Sequence, residues 1–369
     1  MKLLIPILIV LFAISAQVYV SYRIWHILPV GNMWKTAATL LYNLALLSMF
    51  VFFGAGFTDT RLGGFTVTKI IYEVGTSTLF ILLYLFMIFV AIDILRCVHI
   101  LPKDFVNNSL AGSIGVTSLM LVLFIGGNIH YHHKYRETID LTSTKPLKRP
   151  LKLVMLSDLH LGYHNERAEF AKWVDLINKE EPDLVLLGGD VVDFNTVPLL
   201  EQHVAEEFHR IKAPIYACLG NHEFLGGKNN ADNFYKTAGI NLLIDETAVL
   251  PELGICLIGR DDFTNRRRKS ITELIKGQPT DSLYSIVLNH QPFHLEEAEE
   301  NHIDFQFSGH THYGQVWPIN LIVDGIYECG YGEWKRGNTR YYISSGIGIW
   351  GGKFRIGSNS EYVVAELHN

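Results

Sequence analysis

Cysteine is scarce in this chain of 369 residues, and what there is does not pair. Cys97, Cys218, Cys256 and Cys329 form no C-x-x-C motif, which excludes a sequence-encoded disulfide frame or zinc ribbon. They read as small buried hydrophobes in a reducing compartment. A surplus of positive charge is also missing. Thirty-one Lys and Arg face thirty-seven Asp and Glu, for a net charge of −6. A nucleic-acid binder needs a basic face to neutralise phosphate, so no nucleic-acid partner is expected. The third shortage is local. Residues 1–130 hold little charge of either sign and are dense in Leu, Ile, Val and Phe.

That apolar region predicts membrane spans. Four runs, near 3–22, 36–57, 74–95 and 110–129, approach or exceed the roughly 20 residues that cross a bilayer. The stretch 79–91, L-F-I-L-L-Y-L-F-M-I-F-V-A, lacks the polar residue every third or fourth position that a soluble bundle would show. Trp25, Trp34 and Tyr72 fall near the ends, where amphipathic rings favour the headgroup zone. Lys2, an apolar core and Ala13–Ala16 allow a second reading of the first run as a cleaved signal peptide. Asp93, Arg96 and His99 could line a polar path, but at a span end they read as solvated, and the bundle as an anchor. His130, His132 and His133 belong to a basic flank that continues through Lys145, Lys148, Arg149 and Lys152. Such flanks stay in the cytoplasm, so a multi-pass inner (plasma) membrane protein with a cytoplasmic C-terminal domain is expected. Residues 142–150, T-S-T-K-P-L-K-R-P, read as a turn-rich cationic connector drawn to an anionic leaflet. The expected division is a membrane region over 1–130, a basic linker over 131–150 and a soluble domain over 151–369.

Residues 150–369 have the composition of an ordinary globular protein. Apolar strands are predicted over 151–157, 184–187, 215–219, 255–259, 285–288, 305–307 and 362–367. A helix over 166–180 places Phe170, Trp173, Val174 and Ile177 on one face, and Pro182 ends it. A second helix is predicted over 199–211. Buried strands alternating with helices imply βαβ units and a sheet covered on both faces. Ligands of such sheets gather at the carboxyl ends of the strands.

Those ends carry the chemistry. The first delivers Asp158 and His160 (D-x-H), the next Asp190 and Asp193 (G-D-x-x-D), then Asn221 and His222 (G-N-H-E). His290 follows in N-H-x-P, and His310 with His312 in G-H-T-H. A lone His at a strand end is ordinarily a hydrogen-bonded structural residue. Five such motifs in order, each after an apolar strand, form a site.

On these motifs, residues 151–367 resemble the calcineurin-like metallophosphoesterase superfamily. They look most like its small bacterial branch ending G-H-T-H-x-G-Q, here Gly309 to Gln315. That branch includes membrane-associated UDP-2,3-diacylglucosamine pyrophosphatases. The resemblance implies an α/β protein, a four-layer α/β/β/α sandwich, here preceded by an all-α transmembrane bundle. It implies two divalent metal ions, for which this donor set suits Mn²⁺, Fe²⁺ or Zn²⁺. By resemblance the first metal takes Asp158, His160, Asp190 and His312, and the second Asp190, Asn221, His290 and His310. Asp190 would bridge, and a hydroxide held between the metals would attack phosphorus in line. His222 would serve as general acid, with Asp193 orienting its ring and raising its pKa.

The implied function is hydrolysis of a phosphoester or pyrophosphate, with lipid-linked substrates among the candidates. A transporter or sensor with a degenerate domain is the alternative, but it predicts missing ligands and none of the seven is missing. The D-R-G of protein Ser/Thr phosphatases is absent, since Phe194-Asn195 follow Asp193. Tyr313 stands where near relatives carry glycine. The familiar lipid A pyrophosphatases are not four-span proteins, so their substrate does not transfer. Arg266-Arg267-Arg268-Lys269 reads equally as a solvated turn or a phosphate clamp. Trp317, Trp334 and Trp350, with Tyr313, Tyr327 and Tyr331, are divided between core and groove rim.

Overall fold

The computed structural model describes residues 4–56, 63–225 and 227–369. Two compact units divide the chain, the first reaching Asn128 and the second beginning at Ile129.

The first unit is helical: α1 (Leu4–Ile27), α2 (Asn32–Gly56), α3 (Phe65–Cys97) and most of α4 (Leu110–His132). These cover the four apolar runs, except that Leu3 and Phe57 lie outside the described residues. Among the described residues, α3 and α4 are long and apolar enough to cross a membrane. Val20, Leu82, Leu85 and Phe89 form the inner seam, while Leu41, Leu44, Val122 and Ile125 face outward. An outward apolar surface of this kind is what lipid would cover. Asp93 and Arg96 are not simply solvated. Asp93 accepts from Tyr19 at 2.6 Å, pairs with Arg96 at 3.0 Å and also pairs with Arg23. Cys97 is exposed rather than buried, whereas Cys218, Cys256 and Cys329 are buried as expected.

The second unit holds two six-stranded sheets. The first runs in the order β1-β12-β2-β3-β4-β5. Its strands are β1 (Lys134–Thr142), β2 (Leu151–Leu156), β3 (Leu184–Leu187), β4 (Ile215–Ala217), β5 (Asn241–Leu242) and β12 (Ser360–His368). The second runs β10-β11-β9-β8-β7-β6. It comprises β6 (Glu246–Leu250), β7 (Ile255–Gly259), β8 (Tyr284–Leu288), β9 (Phe305–Ser308), β10 (Gly332–Arg336) and β11 (Thr339–Ile343). Between them run α5 (Arg167–Lys179), α6 (Val197–Glu201), α7 (Ala205–Phe208), α8 (Asn221–Leu225) and α9 (Lys228–Thr237). Later come α10 (Ile271–Ile275), α11 (Glu296–Glu300) and α12 (Ile319–Ile326).

The continuous apolar strands follow from burial on both faces. In β2, Leu153 and Met155 pack toward the second sheet against Leu257, Leu288 and Phe307. Val154 and Leu156 point the other way, toward Phe170, Trp173 and Val174 of α5. Cys256, Ile258 and Val287 on the far side of the second sheet meet Ile271, Leu274 and Leu295. The layers are therefore helix, sheet, sheet, helix. The parallel registers of β2 with β3 and β3 with β4 align three strand ends on one edge. β8 and β9, also parallel, align two more.

Two expectations change. The helix over 199–211 is broken into α6 and α7, because His203 adopts φ 55° between them. The linker over 131–150 holds a nine-residue edge strand, since β1 pairs along its whole length with β12, Ile139 opposite Ala365 and Leu141 opposite Leu367. Its cations are also engaged within the domain. Lys148 pairs with Glu252, Arg149 with Asp183 and Lys145 with Asp304. His130 is no free headgroup ligand either, with Nε2 3.1 Å from the Ser358 carbonyl and from Asn359 Oδ1.

Candidate metal centre

Each ligand-type side chain lies just past a strand end, where the chain must turn sharply to aim it inward. Asp158, His160, Asp190, His310 and His312 all take positive φ, between 44° and 73°. That region costs a non-glycine residue about 1–3 kcal/mol and persists where the surroundings over-determine it. Two glycines make the crowding possible. A Cβ on Gly189, at φ 89°, would sit 2.7 Å from His290 Nδ1. One on Gly220 would lie 2.5 Å from the Asp190 nitrogen. Tyr313 also adopts a glycine-like φ of 45°, its ring stacked on Tyr331 at 5.0 Å.

The turns bring the predicted residues together. Asp158, His160 and His312 form one group, Asp190, His290 and His310 a second, and His160, Asp193 and His222 a third. Within each group the potential ligand atoms lie within 4.8 Å of one another. Asn221 joins through Oδ1, 2.8 Å from His310 Nδ1. All nine predicted site residues therefore stand together where the strand ends of the two sheets meet. Asp158, His160, Asp190 and His290 are buried, while His310, His312 and Asn221 are partly open.

Two ligand-type nitrogens of the site have no protein hydrogen-bond partner, which is how a cation site looks from the protein side. His290 donates Nδ1–H to the Gly188 carbonyl at 2.7 Å, which aims Nε2 at Asp190 Oδ2, 3.1 Å away. Neither that Nε2 nor His312 Nδ1 has a hydrogen-bond partner, although both are buried. His160 and His312 set their Nε2 atoms 3.0 Å apart, a contact that a shared cation or proton would satisfy. The residues thus fit divalent metals, with imidazole, carboxylate and amide donors. His290 and His160 are each oriented through the opposite nitrogen, as metal-binding imidazoles commonly are.

Within the protein alone, the electrostatics favour ionised carboxylates. Burial would raise Asp190, but the charges of His290, His222 and His160 outweigh it and hold it well below its ordinary value. Burial likewise opposes ionisation of Asp193, yet hydrogen bonds from His160 and His222 bring it to about 2. Burial would lower His222, but Asp190 and Asp193 raise it to about 9. His310 falls to about 4 through burial and repulsion from His290.

Asp193 is shared more widely than expected. Its Oδ1 lies 3.2 Å from His160 Nδ1 and 3.3 Å from His222 Nδ1. The His222 Nδ1–H itself donates to the Asp193 backbone carbonyl at 2.7 Å.

Residues 151–314 match the calcineurin-like phosphoesterase family. An uncharacterised metallophosphoesterase of Aquifex aeolicus is 30% identical over 237 residues, covering 61% of this chain and 88% of that one. This chain belongs to the calcineurin-like phosphoesterase family. An uncharacterised metallophosphoesterase of Campylobacter jejuni is 32% identical over 234 residues, 60% of each chain. A Danio rerio "Transmembrane protein with metallophosphoesterase domain" is 29% identical over 231 residues, 57% of this chain and 52% of that one. The matched region spans about 60% of the length of the Helicobacter pylori and Campylobacter jejuni relatives.

Calcineurin-like phosphoesterases generally bind two divalent metals, and the His/Asp groups of this one are of the kind that hold them. Two supporting residues stand outside the predicted set. Glu223 is buried and accepts from the backbone nitrogens of Gly220 at 2.7 Å, Val192 at 3.0 Å and Asp190 at 3.3 Å, and from Tyr235 at 3.0 Å. It ties the loop after β3 to the loop after β4. Arg355 is also buried and donates to the carbonyls of His312 at 2.7 Å, Ser345 at 2.6 Å and Gly348 at 2.8 Å. Glu223 was legible in G-N-H-E, where a carboxylate beside the ligands needs a partner. Arg355 stands in no motif and had no such signal.

The basic loop divides. Arg268 turns in to Asn289 Oδ1 at 2.9 Å, beside His290, and burial lowers it to about 10. Arg266 lies over the Phe263 ring at 4.5 Å.

Proposed function

We propose that this calcineurin-like phosphoesterase is a membrane-tethered hydrolase that uses two divalent metals to cleave a phosphoester or pyrophosphate bond. The observation that carries the reading is the set of Asp/His groups at one edge, with potential ligand atoms within 4.8 Å inside each group. The first metal would be held by Asp158, His160, Asp190 and His312, and the second by Asp190, Asn221, His290 and His310. Such a pair supplies Lewis acidity at the phosphoryl oxygens and a water acidic enough to ionise near neutral pH.

The chain's own residues do the rest. Asp193 holds His160 through Nδ1 and fixes the ring of His222. With Nδ1–H committed to the Asp193 carbonyl, His222 keeps Nε2 for the leaving-group oxygen and acts there as general acid. Gly189 and Gly220 let the backbone come close enough for the ligands to converge.

We assign residues 1–130 to a multi-pass membrane region of four spans and the remainder to the enzyme domain, facing the cytoplasm. Support comes from the apolar helices, the transmembrane relatives and the basic flank after α4. Lipid-linked phosphoesters and pyrophosphates are the substrate classes this tether favours.

The test is hydrolysis of bis-p-nitrophenyl phosphate by the purified full chain with Mn²⁺. Turnover that disappears in Asp190→Asn is expected. No turnover, or equal turnover by the variant, overturns the reading.

A further inference from the structure

The helix that follows the G-H-T-H motif is apolar on the outside. In α12, I-N-L-I-V-D-G-I, only Val323 is buried. Leu321, Ile322 and Ile326 are 59%, 59% and 60% exposed, and Trp317 just before the helix is 49% exposed. Eight residues bearing three exposed branched aliphatics are costly in water. On a soluble enzyme such a helix would turn these residues inward.

This helix is fixed to the candidate metal centre at both ends. Its start follows the turn His312–Gly314, and farther along the Tyr313 hydroxyl donates to Asp324 at 3.3 Å. At the end it runs into Tyr327, whose ring lies 6.3 Å from that of His310 and 4.7 Å from that of Phe293. The exposed apolar surface therefore lies beside two of the three partly open ligands, His310 and His312.

The chain also limits how far this domain can stand from a bilayer. α4, one of the helices able to cross a membrane, ends at His132, and β1 begins at Lys134. One residue spans only about 3.5 Å, so a membrane-spanning α4 leaves the domain no slack. β1 is itself paired along its length and cannot pay out as a tether.

We propose that α12, with Trp317, is an interfacial docking surface that seats in the lipid bilayer and presents the opening at His310 and His312 to the headgroup layer. The occupant is the bilayer. Exposed branched aliphatics with a tryptophan at the helix start suit the boundary between headgroups and acyl chains. Docking in this way gives access to amphiphilic phosphoesters whose apolar part stays in the membrane. That last step rests on the phosphoesterase reading, whereas the docking itself does not.

The experiment uses the full chain in phosphatidylcholine vesicles, with Cys97→Ser to remove the exposed thiol. A nitroxide is attached at Ile322→Cys, and in a parallel sample at Lys276→Cys, on an exposed polar turn. Paramagnetic accessibility should show the label at 322 open to oxygen and shielded from a water-soluble nickel chelate, and the label at 276 the reverse. Equal nickel access at both overturns the proposal. So does shielding at 322 that comes with dipolar broadening between labels, because a second copy of the chain then covers the helix.

A second measurement compares substrates. Leu321→Ser with Ile322→Ser should lower hydrolysis of a vesicle-embedded phospholipid about tenfold or more, because interfacial binding scales with buried apolar area. Hydrolysis of water-soluble bis-p-nitrophenyl phosphate should stay unchanged. Equal loss on both substrates overturns the docking role. Inactivity of the parent protein on both would overturn the phosphoesterase reading, and the nitroxide depth would still decide the docking.

Discussion

Asp193 serves two imidazoles at once, His160 at 3.2 Å and His222 at 3.3 Å. Its loss should therefore be felt in metal binding as well as in proton transfer. Asp193→Asn should weaken metal affinity about 10–100-fold, the usual cost of removing such a partner, as read by competition with a fluorescent chelator. His222 gives a pH signature. Raised to about 9 by Asp190 and Asp193 against the effect of burial, it is protonated below that pH and loses its proton as pH rises through it. Bound metals add positive charge and move that loss lower. Activity should therefore fall on the alkaline side, at or below about pH 9. His222→Gln should lower kcat about 10²–10⁴-fold and flatten that limb. A limb that survives in the variant would assign the proton elsewhere. At this scale the sequence is most readable where a ligand motif ends a strand. Asp158, His160, Asp190, Asn221, His290, His310 and His312 are all visible, because short apolar runs isolate them. Arg355 is invisible, because it acts on backbone carbonyls contributed by distant turns, which no local pattern marks.

Among the elements, the central strands are the most legible and the edges the least. β2, β3, β7 and β8 are covered on both faces, so their sequences are mostly apolar, with Lys152 in β2 and Ser285 in β8 the polar side chains. β1 reads K-Y-R-E-T-I-D-L-T, buries only Ile139 and Leu141, and its charges disguise it as a linker. The hairpin of β10 and β11 escapes for the same reason, since β10 is largely exposed. α12 carries little signal in the sequence, because its apolar residues lie among turns and glycines and it is only eight residues long. The break between α6 and α7 depends on one residue, His203, in a left-handed conformation that spacing does not reveal. The packed strands make a prediction about stability. Leu186 is fully buried between the two sheets. Leu186→Ala should cost about 2–5 kcal/mol in denaturant melts of the detergent-solubilised protein. A loss below about 0.5 kcal/mol, typical of surface sites, would contradict the two-sheet core.

In the whole molecule, one residue separates α4 from β1, between the apolar helices and the calcineurin-like phosphoesterase domain. Hydropathy made the helices legible, and the five strand-end motifs made the catalytic unit legible. The junction was not legible, because its cations read as membrane-facing although Lys145, Lys148 and Arg149 pair with acids of the domain. Metal should also hold the second unit together, because the Asp and His donor atoms that would grip it lie within 4.8 Å of one another only in the folded chain. Metal present at about 1,000 times its dissociation constant adds about 4 kcal/mol of stability. Chelation should therefore lower the melting temperature of the catalytic unit, and restored Mn²⁺ should raise it again. The most direct measurement is metal stoichiometry by elemental analysis of the purified full chain and of Asp190→Asn, each equilibrated with Mn²⁺. Two ions per chain, falling to one or none in the variant, is the predicted result. Fewer than two in the parent chain, or the same content in both, would contradict a dinuclear centre bridged by Asp190.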